Sequence, residues 1–138
     1  MRPIYETPHD LANEASVADV LSSAWNCELT KLQVRDAFDY AATRGKNITA
    51  FVEVKTRTNP MHKYPTYMIS MTKVMNANAV FMSTGTPSLL VVKWTDCMGW
   101  VQLNQNKFTL EIGGRRDRHD AQDIEPVCHI SIDLFKVI

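Results

Sequence analysis

The chain has 138 residues, a hydrophobic fraction of 45%, and 15 basic against 15 acidic side chains. That length fits a single domain over residues 1–138 with a core of its own, and a zero net charge excludes a global field that would draw the protein to nucleic acid or to a membrane surface. Three scattered cysteines without a CxxC pair, an N-terminus unlike a signal sequence and apolar runs too short for a bilayer point to a reduced, cytoplasmic setting with no structural zinc and no membrane partner.

In "TPHD", Thr7 offers a capping hydroxyl, Pro8 suits the first helical position, and Asp10 completes a box-like spacing. The helix opened there sets Leu11, Val17, Ala18, Leu21 and Trp25 on one face and runs to Trp25. Glu14 falls in the middle of that apolar stripe. It is either an acid favoured by the helix dipole or an acid turned toward a site. From Glu28 the pattern turns to strands: "ELTKLQV" at an edge, then "AFDYAAT" and "ITAFVEVKT" joined by the turn signal "RGKN". "YMISMTKVMNANAVFMSTG", 67–85, reads as one helix closed by Gly85 with Pro87 beyond. "SLLVVKW" has no polar face at its start, as in a sheet covered on both sides. "GWVQL" returns as its hairpin partner, and "KFTLEI" and "CHISIDLF" follow as peripheral strands around the polar loop "GGRRDRHDAQDIEP". The fold class expected is α/β, a mixed central sheet flanked by helices in the order α-β-β-β-α-β.

The stretch "AFVEVKTR", 50–57, raises the chemical question. Glu53 and Lys55 stand two apart on a strand apolar enough to be central, so they share a face. If Gly45, Lys46 and Asn47 form a three-residue loop, Arg44 faces Ile48 and Asp39 lies opposite Glu53. A two-residue loop moves Asp39 off that face. Asp36 rivals Asp39 by spacing, and register favours Asp39. Two adjacent carboxylates repel unless a cation sits between them. A hard divalent cation such as magnesium takes oxygen ligands of this kind, and a neighbouring lysine can serve the water or steady a phosphate. The set suits phosphodiester hydrolysis with water as nucleophile, since no serine or cysteine is paired with a histidine.

Asp39, thirteen residues, then Glu53-Val54-Lys55 resembles the D…(D/E)xK signature of the PD-(D/E)XK nuclease superfamily, and its small resolvase-like and phage-type members in particular. The resemblance covers roughly residues 8–95 and includes the order of elements. Phe38, where many members have proline, is a departure. The resemblance implies a magnesium- or manganese-dependent DNA endonuclease, branched DNA included among its substrates. It implies metal binding by Asp39, Glu53 and the Val54 carbonyl, and a role for Lys55 with the nucleophilic water. Glu14 matches the acid that members carry on the first helix, and Lys73 matches a basic position on the helix after the motif.

Other residues keep two readings each. Lys73, with Ile69, Ala77 and Val80 at helical spacing, either snorkels to water or reaches the site to contact phosphate. Arg57, Lys63, Tyr64 and Tyr67 either grip a nucleic-acid backbone or form an ordinary surface loop. "RRDR", 115–118, reads as a solvated turn. The rival functions are a catalytically silent nucleic-acid-binding module on the same fold and an interaction protein whose Glu53–Lys55 pair is incidental. Divalent-metal binding separates the nuclease from both. A homodimer is the expected way for so small a body to enlarge its DNA-binding surface.

Overall fold

In the computed structural model, which describes residues 8–33, 36–104, 109–113 and 125–138 (the backbone alone at 10, 109–113 and 125), the first element is helix α1, Pro8–Trp25. Its buried stripe holds Val17, Ala18 and Leu21, with Glu14 among them. Leu11, expected on that stripe, is 42% exposed, and its neighbours Pro8, His9 and Ala12 are exposed too. The cap expected at Thr7 and the side chain of Asp10 lie outside the described residues.

Three antiparallel strands follow: β1 (Glu28–Lys31), β2 (Tyr40–Arg44) and β3 (Asn47–Thr56). The β2–β3 turn has two central residues, not three, since Arg44 pairs with Asn47. Gly45 takes φ +60 at the first central position, as a type II′ turn requires. Such a turn alone would misalign Asp39 and Glu53. Instead Thr43 pairs with Ile48 and Ala42 with Ala50, which leaves Thr49 as a bulge whose hydroxyl donates to the Ala42 carbonyl at 3.2 Å. Beyond the bulge Tyr40 pairs with Val52, so Asp39 arrives beside Glu53 after all.

The segment 67–85 is not one helix. Thr66–Ser70 forms β4, and α2 runs from Met71 to Thr84. The Ser70 hydroxyl caps α2 by accepting from the Thr72 N–H, and Gly85 closes it in the left-handed region at φ 74. β5 (Ser88–Lys93) then pairs parallel to β3, and β6 (Met98–Gln102) returns antiparallel. β7 (Thr109–Gly113), β8 (Glu125–Ser131) and β9 (Lys136–Val137) complete the strands among the described residues. The central sheet has the order β1-β2-β3-β5-β6-β9, and a second, antiparallel sheet has the order β4-β8-β7. Val34, Lys107, Phe108 and the "RRDR" loop lie outside the described residues.

β3 and β5 are buried on both faces. On one, Ala50, Val52, Val54 and Val91 meet Val17, Ala18 and Leu21 of α1. On the other, Leu90 and Val92 meet Val74 and Ala77 of α2 together with Tyr67, Ile69, Cys128 and Ile130 of the second sheet. This double cover explains the unbroken apolar run of β5. The fold is an α/β layer structure with its mixed sheet in the middle.

Candidate active site

Strand alternation sets the site. Val52 and Val54 point to α1, so Glu53 and Lys55 point to the opposite face, toward α2. Glu53 is only 2% exposed. Lys73, in the first turn of α2, brings its ammonium 2.8 Å from Oε2 and 3.3 Å from Oε1. Only the contact to Oε1 is aligned as a hydrogen bond, and Oε2 is buried without one. The same ammonium donates to the Ala37 carbonyl, and it lies 5.8 Å from the centre of the Phe38 ring. Lys73 thus ties α2 to β3 and to the segment leading into Asp39. Burial pushes the Glu53 carboxyl up to about 7; Lys73 and Lys55 pull it down, and the Asp39 charge adds to the rise.

Asp39 is held from two sides. Its Oδ2 accepts from the Val54 N–H at 2.8 Å, which sets the carboxylate against the Glu53–Val54 peptide. Its Oδ1 has a looser contact, 3.8 Å from the Lys31 ammonium. Lys31 in turn pairs with Glu14 Oε2 at 2.6 Å and lies 5.2 Å from the centre of the Tyr40 ring. Glu14, 8% exposed on α1, is therefore linked to Asp39 through Lys31. Sequence reasoning missed Lys31. The signal was present in "ELTKL", where alternation puts Lys31 on the same face as half-buried Leu29, under α1. Asp36, the rival to Asp39, is exposed and caps its own turn by accepting from the Gln33 N–H at 2.9 Å.

The cations differ in how far they are engaged. Lys55 is half-buried and forms no ion pair with a described residue. Arg57 stacks on Tyr67, 4.8 Å from the ring centre, and donates to the Thr56 carbonyl at 3.1 Å. Lys63 is exposed on a 3-10 turn, Met61–Lys63, with its ammonium 5.5 Å from the Tyr64 ring centre.

The donor set fits a hard cation. A buried carboxylate oxygen with no hydrogen bond, Glu53 Oε2, sits on the element that Asp39 touches. Among the described residues no three His, Cys, Asp or Glu side chains gather into a cage. Two carboxylates and a carbonyl would leave the remaining positions to water and phosphate, as magnesium prefers, without the nitrogen or sulfur donors common at zinc.

No helix among the described residues is long and apolar enough to cross a membrane. No match exists among curated protein sequences. Among solved structures, the 1.6 Å structure of Archaeoglobus fulgidus Hjc, a Holliday junction resolvase from an archaeal hyperthermophile, is similar with a TM-score of 0.58 at 16% identity, covering 92% of each chain. At that identity the likeness is one of fold. The family model described as "Phage putative PDDEXK endonuclease" matches residues 1–138. The chain belongs to that family of PD-(D/E)XK phage endonucleases, on the fold that Hjc shares.

Proposed function

We propose that the chain cuts phosphodiester bonds in DNA with a magnesium or manganese ion held by Asp39, Glu53 and the Val54 carbonyl, and that branched DNA is among its substrates. The observation that carries the reading is Glu53: a carboxylate kept dry beside Asp39, its Oε2 facing only the Lys73 ammonium at 2.8 Å among the described residues, without an aligned hydrogen bond. Family membership and the likeness in fold to a Holliday junction resolvase support the nuclease and the branched substrate.

When bound, the cation supplies Lewis-acid polarisation of the phosphoryl group and makes water a better nucleophile. The chain's own residues do the rest. Lys55 spends none of its three N–H donors on a described carboxylate, so it can orient the attacking water and meet charge on the non-bridging oxygens. Glu14 steadies Lys31, and Lys31 steadies Asp39. Lys73, Arg57 and Lys63 would meet the DNA backbone, Lys73 while it opposes the effect of burial on the Glu53 carboxyl. The proposal includes a homodimer, since a body of 138 residues offers little surface to a DNA duplex.

The test is cleavage of linear, nicked, flapped and four-way DNAs with and without magnesium. Lys55→Met keeps length and apolar bulk and should fold, bind manganese by calorimetry, and cut slower by a factor on the order of a hundred. Cleavage at the parent rate would remove Lys55 from the reaction. DNA binding without cleavage of any substrate would leave the silent module in place of the nuclease.

A further inference from the structure

Tyr67 is a deeply buried polar side chain on the site's face that the chemistry above does not use. It sits on β4, 5% exposed, and its hydroxyl has no hydrogen-bond partner. Its ring meets Trp94 and Phe135 in T-shaped contacts, with centroids at 6.5 and 5.9 Å. Trp94 and Phe135 meet each other at 5.2 Å, so the three rings form one cluster. Burial in that cluster holds the Tyr67 ring, and the Arg57 guanidinium lies over it, 4.8 Å from the ring centre. Burial pushes the phenol's ionisation up, Arg57 opposes that, and the Glu53 charge adds to it, so the ring lies within the field of the site.

Arg57 continues the row that begins with Glu53 and Lys55. Its N–H donates to the Lys93 carbonyl at 2.8 Å, so the backbone stays in the ladder just past β3. Period two puts its side chain on the face of Glu53 and Lys55, about 7 Å beyond Lys55. That step is comparable with one nucleotide of an extended DNA strand. One guanidinium nitrogen is used on Thr56, and no described carboxylate pairs with the group. The rest of the planar fork is available for the bidentate contact that phosphate accepts.

We infer that Arg57 clamps the phosphate next to the scissile one, and that Tyr67 is the positioning residue whose fixed ring holds the guanidinium in the plane that contact needs. This deepens the reading of the site as a nuclease and rests on it for the identity of the scissile phosphate. The clamp itself is read from binding alone. Tyr67 is too buried to touch DNA, so it acts only through Arg57.

The experiment measures binding of a fluorescent DNA duplex to metal-free protein by anisotropy across a salt series. Arg57→Gln should weaken binding and lower the slope of log K against log salt by about 0.9, the loss of one phosphate contact. Tyr67→Leu should weaken binding by roughly threefold to tenfold in the parent and by nothing further in Arg57→Gln. Arg57→Lys keeps the charge without the stacked plane and should lose about as much as Tyr67→Leu, which covers the case in which Tyr67→Leu does not fold. Tyr67→Phe, which keeps the ring, should bind as the parent does. Losses from Tyr67→Leu and Arg57→Gln that add, or parent-like binding by Arg57→Lys, would each overturn the positioning role. An unchanged affinity in Arg57→Gln would overturn the clamp. Failure of the nuclease reading is separate, and appears as absence of cleavage by the parent.

Discussion

Glu53 shows how one side chain couples stability to pH. Its carboxyl is raised from an ordinary 4.5 to about 7, chiefly by burial. Between those values the folded protein holds a proton that the unfolded chain has released, so stability is full below the lower value and is lost as pH rises through the higher one. Glu53→Gln removes that dependence. Denaturant titrations should find the variant gaining on the parent from pH 5 to pH 8, by about 3 kcal/mol between the extremes. A constant difference across that range would mean that Lys73 keeps Glu53 ionised throughout. Lys31 makes a second residue-scale case. Lys31→Met removes the ammonium that pairs with the buried Glu14 carboxylate at 2.6 Å, which should cost about 1–3 kcal/mol. Adding Glu14→Gln should recover most of that loss, because it removes the charge that Lys31 balances. A double variant no more stable than Lys31→Met alone would show that the pair does not act as a unit.

At the scale of elements, the β2–β3 hairpin reaches its register by a route the sequence does not announce. "RGKN" signals a turn, and the apolar alternation of "AFVEV" demands that Val52 and Val54 be buried, but neither says whether the odd residue is spent in the loop or in the strand. It is spent at Thr49. Deleting Thr49 should therefore straighten the strand and leave the pairing from Ala42 onward intact. Cleavage should stay within about tenfold of the parent, since register and not the bulge brings Asp39 to Glu53. A greater loss would give the bulge a further task. The same tension between local signal and packing hid β4. "YMISMTKVM" is apolar on most sides because a strand and a helix, both covered by the second sheet's core, succeed each other without a polar break. Ser70 was the available marker, a capping hydroxyl ahead of the helix. Glu53, Lys55 and Asp39 could be grouped in advance because strand periodicity is rigid. Lys31 and the stacking of Arg57 on Tyr67 could not, because they depend on how α1 and the second sheet lie over the central one.

For the whole molecule, the central sheet joins segments made at different times. β3 has β2 on one side and β5 on the other, and β5 follows only after β4 and α2. Pairings of that kind close a long loop and form late. A chain emerging from the ribosome therefore presents β3, with Phe51, Val52 and Val54, as an open edge until residues 88–93 have been made. Open apolar edges recruit other chains, and charges set in mid-strand are a common defence. Glu53 and Lys55 occupy that position. The residues proposed to serve the reaction would then also keep the nascent strand from pairing with its neighbours. The double variant Glu53→Gln, Lys55→Met should consequently yield a smaller soluble fraction on rapid expression, even though the purified protein melts no lower than the parent. Equal soluble yields would confine the two charges to the finished site; a lower yield would mean that synthesis, as well as catalysis, constrains what "AFVEVKTR" can contain.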